Sequence, residues 1–269
     1  MSAHSAFGVA PPAEAPAGAA FDDAMLMRYS RHILLPEIDL AGQERICRGK
    51  VLIVGMGGLG TPASLYLARS GVGLLTIADG DAVDASNLQR QILYDDDDVG
   101  QPKAEVAARV LRKANPDVKV VVCSERLTGS ALIDQVALAD VVLDCSDNFA
   151  TRHAINRASV ALGKPLVSGA AVRFDAQLAV FDPREAQSPC YACLFPEGGQ
   201  VVEERCAVTG VFSPLVGVVG ALQAAEALKL LAGCGEPSWG RLILFDALAL
   251  DWRSVRVPRD PVCPVCGGR

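Results

Sequence analysis

Aromatic side chains are scarce in this chain: phenylalanine, tyrosine and tryptophan together make up 5% of 269 residues. That disfavours a sandwich core built on large rings. Ala, Val and Leu carry the apolar content instead, which suits helices packed on a sheet. Positive charge is also in short supply, with 25 Lys and Arg against 31 Asp and Glu and a net charge of −6. A general nucleic-acid binder needs a basic face, so that class is disfavoured. No uninterrupted apolar run approaches the roughly 18 residues of a membrane-spanning helix, and no membrane association is expected. The first twenty residues contain no Lys or Arg and no apolar run, so they do not read as a signal peptide. Their Ala/Pro-rich composition predicts a disordered tail over 1–20 and a single domain over 21–269. With 51% apolar and 21% charged residues, that domain can bury a sizeable core. A cytoplasmic location is the expectation. Nine cysteines there should be reduced or metal-bound rather than disulfide-linked.

What is present is an alternation of short apolar runs with helical spacing. Lys50–Val54 reads as a continuous apolar strand, followed by a glycine-rich turn and a helix to about residue 70. Pro62 suits the first turn of that helix, where its missing N–H costs nothing. Further strands are predicted at Leu74–Ala78, Lys119–Cys123, 141–143 and 166–167, and helices over 102–115, 130–138 and 151–162. Such alternation indicates a parallel sheet covered on both faces. The rhythm then changes: strands at 177–181, 242–245 and 252–257 surround one long helix over 216–231. The predicted fold is α/β, a Rossmann-like doubly wound sheet with a parallel N-terminal half and a mixed or antiparallel C-terminal extension. The acidic run Asp95–Asp98 reads as a solvated loop.

The turn Gly55-Met56-Gly57-Gly58-Leu59-Gly60 lies between a strand and a helix. Glycines there let the backbone approach a phosphate or ribose closely, and the helix N-terminus offers free N–H groups and partial positive charge. Asp79 ends the second strand about twenty residues on, where an acid accepts hydrogen bonds from ribose hydroxyls. Gly55, Gly57, Gly58, Gly60 and Asp79 are therefore candidate nucleotide contacts. The motif by itself does not separate NAD from ATP. Asp81 and Asp84, just beyond, read as solvated loop positions.

The next segment separates them. Asn87, Arg90 and Gln91 follow the second strand, and Lys103 opens the next helix. Several fixed cations do not suit a nicotinamide cofactor. They do suit a triphosphate, whose α-phosphoryl transfer develops charge on the bridging and leaving oxygens. Asp147, after the fourth strand, is a candidate carboxylate for Mg²⁺ beside those phosphates.

Two Cys-x-x-Cys pairs, Cys190/Cys193 and Cys263/Cys266, supply four thiolates suited to tetrahedral Zn²⁺. Their wide separation means that each pair comes from a different element, so a metal would staple the C-terminus to the middle of the chain. A redox dithiol is the alternative.

With these motifs in order, Gly55–Gly60, the segment from Ser86 to Gln91, Gln101 to Lys103, Asp144 to Asn148 and the segment from Arg28 to Leu35 resemble the MoeB/ThiF/HesA family, relatives of ubiquitin-activating enzymes. The resemblance covers roughly 25–267. It implies adenylylation, by Mg²⁺ and ATP, of the C-terminal glycine carboxylate of a small ubiquitin-like sulfur-carrier protein ending in Gly-Gly. The products are an acyl-adenylate and pyrophosphate, and the carrier goes on to a thiocarboxylate for thiamine or molybdopterin synthesis. It further implies that Asp79 binds ribose, that Asn87, Arg90 and Lys103 contact phosphates, and that Asp147 coordinates Mg²⁺. Arg31 would reach the phosphates bound by the partner subunit of a homodimer. Members commonly carry a structural zinc, which favours that use of the four cysteines. Cys206 resembles the cysteine that relatives use for thioester, persulfide or acyl-disulfide chemistry. Arg205 would favour its thiolate and Glu203 and Glu204 oppose it, so an unreactive loop cysteine is the other reading. A cysteine desulfurase or a rhodanese, as a separate protein, would donate the sulfur. Two rivals stand beside this reading: an NAD-dependent oxidoreductase, for which no hydride-site residue is evident, and a non-catalytic zinc-stabilised scaffold, which would not need intact cationic positions.

Overall fold

A computed structural model describes residues 21–198 and 209–268. The expected tail, 1–20, and Cys206 lie outside the described residues. The helices are α1 (Asp23–Ile33), α2 (Asp39–Arg48), α3 (Gly60–Arg69), α4 (Lys103–Ala114), α5 (Gly129–Leu138), α6 (Phe149–Leu162), α7 (Tyr191–Leu194) and α8 (Ser213–Ala232). The strands are β1 (Lys50–Val54), β2 (Leu74–Ala78), β3 (Lys119–Cys123), β4 (Val141–Asp144), β5 (Leu166–Val172), β6 (Asp175–Phe181), β7 (Arg241–Asp246) and β8 (Asp251–Arg256).

Among the described residues the strands form one eight-stranded sheet in the order β3-β2-β1-β4-β5-β6-β7-β8. The first five are parallel, and β5 through β8 are antiparallel. β1 shows why its run is apolar throughout. Val51 and Ile53 face one core layer with residues of α3, α4 and α8, while Leu52 and Val54 face a second layer with residues of α5 and α6. A strand buried on both faces has no position for a polar side chain.

The chain winds outward from β1 through β2 to β3, then returns through α5 to β4 on the other side of β1. The order reverses between β1 and β4. In an open α/β sheet the crevice outside the carboxyl ends of the strands at such a point is where ligands bind. The turns after Val54 and Asp144 both open into it.

The predicted strands and helices are present, with ends shifted by a few residues. β5 runs five residues further than expected because it pairs along its whole length with β6, from Leu166↔Phe181 to Val172↔Asp175. That local hairpin left no helical spacer in the sequence. Helix α8 is by length and composition alone apolar enough to cross a membrane, but its buried side chains, Leu215, Val216, Val219, Ala224 and Ala227, belong to the main core. It packs on α3, α2, β4, β5 and β6. Asp98 departs from the solvated-loop expectation. It is 2% exposed, accepts a hydrogen bond from the Asp95 N–H at 3.1 Å and pairs with Arg109.

Candidate nucleotide site and thiol cluster

The glycine loop is shaped by contacts that admit no side chain. Gly55 has φ of +98°, and a Cβ there would lie 2.6 Å from the Cys145 carbonyl oxygen, so the β1 and β4 turns touch backbone to backbone. A Cβ on Gly60 would lie 1.9 Å from the Gly55 carbonyl oxygen, which requires glycine where the loop closes on α3. Gly58 packs against Val216 of α8. Gly57 is the exception: beyond it there is only Gln91 Nε2, 3.8 Å from where a Cβ would stand. The loop thus presents open space at Gly57, beside a buried Gln91 whose Oε1 has no hydrogen-bond partner among the described residues. An orphaned buried acceptor at the mouth of a glycine loop fits a polar ligand.

Asp79 stands at the end of β2 and grips the loop. Its Oδ2 accepts a hydrogen bond from the Met56 N–H at 2.7 Å and its Oδ1 one from the Asp81 N–H at 2.9 Å. Burial pushes its carboxyl above the ordinary aspartate range, against the hydrogen bond from Asp81 and the charge of Lys103. The Tyr94 hydroxyl donates to the Met56 carbonyl at 2.8 Å and approaches the Lys103 carbonyl at 3.3 Å, which ties the loop to the start of α4.

Lys103 is 7% exposed, and its Nζ lies 3.5 Å from Asp81 Oδ2. Arg126 reaches Asp81 Oδ1 at 3.2 Å. Asp81 is exposed in its loop, as read from the sequence, and is also the shared counter-ion of two cations. Partial burial raises its carboxyl, and the hydrogen bond from Arg126 and the charge of Lys103 outweigh that and hold it below the ordinary range. Asp84 caps the short turn Ala85–Asn87 by accepting from the Ser86 N–H at 2.8 Å. The Arg90 guanidinium donates to the Ser86 carbonyl at 3.0 Å, and Asn87 Nδ2 lies 3.3 Å from Ser86 Oγ. The Ser213 hydroxyl at the start of α8 donates to the Gln89 carbonyl, fixing this segment from the far side.

Asp147 projects exposed from the turn between β4 and α6, and Asn148 caps α6 by accepting from the Thr151 N–H at 2.9 Å. Three residues to which the sequence assigned no role of their own hold this turn. Asp144 is fully buried and accepts from the Ser146 and Ser168 hydroxyls at 2.6 and 2.9 Å. Arg152 donates to the carbonyls of Ser146 at 2.7 Å and Gly169 at 3.2 Å. Gln223 of α8 donates to the Asp144 carbonyl at 2.8 Å. A glutamine in the middle of an apolar helix was the signal available for the last. Cys145, between them, is held protonated by burial and by the Asp144 carboxylate.

Arg31 is not brought to this site. It lies exposed in the last turn of α1. Two residues away, the Tyr29 hydroxyl accepts from Asn115 Nδ2 at 2.9 Å, and the Tyr29 ring lies against Gly71. Asn115 and Gly71 follow the C-terminal ends of α4 and α3, whereas the glycine loop and Lys103 sit at their N-terminal ends. Ten-residue α3 is about 15 Å long, so Tyr29, two residues from Arg31, sits about that far from its own glycine loop. His32, adjacent, hydrogen-bonds Gln43 at 3.0 Å and belongs to the α1–α2 contact rather than to the site.

The four expected thiols converge. Cys190 precedes α7, Cys193 lies within it, and Cys263 and Cys266 follow β8. Their sulfurs all lie within 4.8 Å of one another, with separations of 3.7 Å for Cys190–Cys263, 3.4 Å for Cys193–Cys266 and 3.9 Å for Cys190–Cys193. A tetrahedral Zn–S₄ centre with bonds of about 2.3 Å has S···S edges of about 3.8 Å, so the donor set and its spacing fit zinc. Arg259 closes the last turn by donating to the Cys266 and Gly267 carbonyls at 2.5 and 3.2 Å.

The fold and the crevice together define a doubly wound α/β protein whose glycine loop is flanked by the Asp79 carboxylate and by the cations Lys103 and Arg90. The model of the ThiF family matches residues 29–265, and the chain belongs to that family. It is 52% identical over 247 residues to the sulfur carrier protein ThiS adenylyltransferase of Escherichia coli K12, covering 92% of this chain and 97% of that protein. It is 45% identical over 249 residues to the molybdopterin-synthase adenylyltransferase of the same organism, covering 93% and 99%. A crystal structure of E. coli MccB with ATP superposes with a TM-score of 0.74 at 28% identity, covering 85% of this chain and 70% of that one.

Proposed function

We propose that the protein adenylylates the C-terminal glycine carboxylate of a small ubiquitin-like sulfur-carrier protein, releasing pyrophosphate, as a step toward the thiocarboxylate used in thiamine or molybdopterin synthesis. One observation carries this reading. Open Gly57, the sugar-side carboxylate of Asp79 and the buried cation of Lys103 meet at the reversal of strand order, with Arg90 on the adjoining turn.

The nucleophile is already ionised, so no general base is required. Attack of a carboxylate oxygen on the α-phosphorus breaks the bond to the bridging oxygen, and pyrophosphate carries away the electron pair. The protein's contribution is position and charge. Asp79 accepts the ribose hydroxyls while the Met56 N–H keeps its carboxylate in place. The N-terminus of α3 and the Gly57 backbone lie along the phosphates. Lys103 and Arg90 neutralise the charge that moves to the leaving group, with Asn87 and Gln91 as neutral donors beside them. Asp147 would hold Mg²⁺, which would supply further neutralisation of the phosphate oxygens when bound. Arg31 serves the partner subunit's site, in keeping with its place at the far end of α1, and the working unit is a homodimer.

The cluster of Cys190, Cys193, Cys263 and Cys266 holds a structural zinc. Four thiolates leave a tetrahedral zinc no open position, so zinc enters no chemical step. Cys206 would act after adenylylation, in transfer of sulfur from a separate donor. The setting is the cytoplasm, where thiols stay reduced.

The decisive test is ATP–pyrophosphate exchange with carriers ending in Gly-Gly. Mg²⁺-dependent exchange that needs the carrier's terminal carboxylate supports the assignment, and hydride transfer with NAD in its place would reject it.

A further inference from the structure

Lys103 is the buried cation of the site, and the residue that faces its ammonium is Asp81. The same aspartate carries a second cation, Arg126, on its other oxygen. Below the side chains, the two segments are joined independently. The Lys103 N–H donates to the Asp81 carbonyl at 2.9 Å, and Ala82 and Pro102 form a bridge. The carboxylate is therefore not what keeps β2 and the start of α4 together. Its side chain is half exposed, at 52%, so it does not fill a core position either.

A second carboxylate lies within the field of that ammonium: Asp79, whose ionisation Lys103 favours. An ammonium on a flexible stem, withdrawn from water, turns to whichever anion is at hand. Asp84 also lies in that field, but it is exposed and its Oδ1 already accepts from the Ser86 N–H and hydroxyl. With Asp81 present, its carboxylate serves both Lys103 and Arg126, and Asp79 is left to accept from a sugar. Without Asp81, Asp79 is the part-buried carboxylate left in the field of Lys103. The cation would then leave the phosphates, and the sugar would lose its acceptor.

We propose that Asp81 is a positioning residue that acts through Lys103. It holds the ammonium off Asp79 before nucleotide arrives, and it releases Lys103 to the triphosphate because Arg126 remains to neutralise it. This rests on the adenylylation reading and adds a residue to it.

The test is a double-mutant cycle in ATP–pyrophosphate exchange, with Asp81→Asn, Lys103→Ala and the pair, each checked by thermal melting. Asp81→Asn should lower kcat/KM for ATP by about tenfold, and the pair should be no slower than Lys103→Ala alone, because neighbours acting through one group are not additive. Asp81→Glu, which restores the charge, should recover most of the loss. Independent, multiplying losses in the pair would overturn the proposal, as would wild-type kinetics in Asp81→Asn. A loss in Asp81→Asn that Glu does not rescue, or that follows a lowered melting temperature, would also count against it by assigning the residue a structural role. Wild-type exchange in Lys103→Ala would strike earlier, at the placement of the phosphates, and the proposal would fall with it.

Discussion

Asp79 offers the sharpest test of the nucleotide site, because one carboxylate both shapes the loop and faces the sugar. In Asp79→Ala the N–H groups of Met56 and Asp81, bonded at 2.7 and 2.9 Å, lose their acceptor. Hydrogen bonds to a charged group contribute about 1.5–3 kcal/mol each, so removing the two sugar hydroxyl contacts should weaken ATP binding by roughly 10²-fold, about 3 kcal/mol. Asp79→Asn keeps the size and removes the charge, yet its NH₂ must face one of the two backbone donors. Its ATP affinity should fall nearly as far. Burial raises the Asp79 carboxyl above the ordinary range. For a raised acid the neutral form is favoured in the folded chain, so this group costs stability above its unfolded pKa, and the cost is relieved as pH falls. ATP binding needs the ionised form and should weaken over the same interval. Acidification should thus lower ATP affinity while relieving, not adding to, Asp79's own cost to the free protein. Calorimetric titration with ATP across acid pH, alongside thermal melts, measures both. Wild-type affinity in Asp79→Ala, or an unchanged acid limb in Asp79→Asn, would refute the placement of the sugar.

Lys103→Ala and Arg90→Ala should each cut pyrophosphate exchange by roughly 10²–10⁴-fold without unfolding the chain, as loss of cationic phosphate contacts does elsewhere; near-normal exchange in both would mean the phosphates lie elsewhere. Purified protein should contain about one zinc per chain, and Cys263→Ser should release it and expose the C-terminus to proteolysis, whereas a metal-free protein of unchanged stability would count against the staple. Cys206→Ala should keep exchange within about threefold and lose any thiol-sensitive adduct with the carrier, since a nucleophile used later takes no part in adenylylation. Mixing inactive Arg31→Ala and Lys103→Ala protomers should restore about one quarter of wild-type exchange, because half the dimers are mixed and each has one intact site; no recovery in verified mixed dimers would argue against a shared arginine.

The parallel half was legible because its strands are apolar on both faces and its helices carry apolar residues at helical spacing, patterns that buried βα units impose. The glycine loop was legible because backbone contacts as close as that of Gly60 to Gly55 exclude every side chain, and the cysteine pairs because tetrahedral ligation leaves a short spacing. The ion pairs were not legible. Asp81 and Asp98 read as surface acids because their cations lie 45 and 11 residues away, at Arg126 and Arg109, and pattern along the chain carries no record of pairing across it. Helices α1 and α2 were missed because only a few of their residues are buried, Tyr29 in the first and Gly42, Gln43 and Ile46 in the second, and so few give little periodicity. Arg31 had no meaning without a family resemblance. Its distance from its own glycine loop becomes visible only once Tyr29 is seen at the other end of α3.

Helix α8 explains how the two halves of the sheet work as one. Its composition would suit a membrane, but half of it is buried inside the protein against α2, α3 and the sheet. Gly220 lets it lie against the start of α3, where a Cβ would meet the Leu59 carbonyl oxygen at 2.4 Å. Val216 presses on Gly58, and Ser213 bonds the Gln89 carbonyl. Gln223 binds the carbonyls of Asp144 and Val167 at 2.8 and 3.2 Å, bridging β4 and β5, the strands just before the sheet turns antiparallel. A single helix thus touches the glycine loop, the segment that carries Arg90 and the turn that carries Asp147. An interior packed this closely does not deform continuously. The glycine loop, the Arg90 segment and the Asp147 turn are therefore set relative to one another by one helix. Its apolar surface follows from that duty, and its one buried amide serves the carbonyls of β4 and β5 and the Cys145 thiol between them.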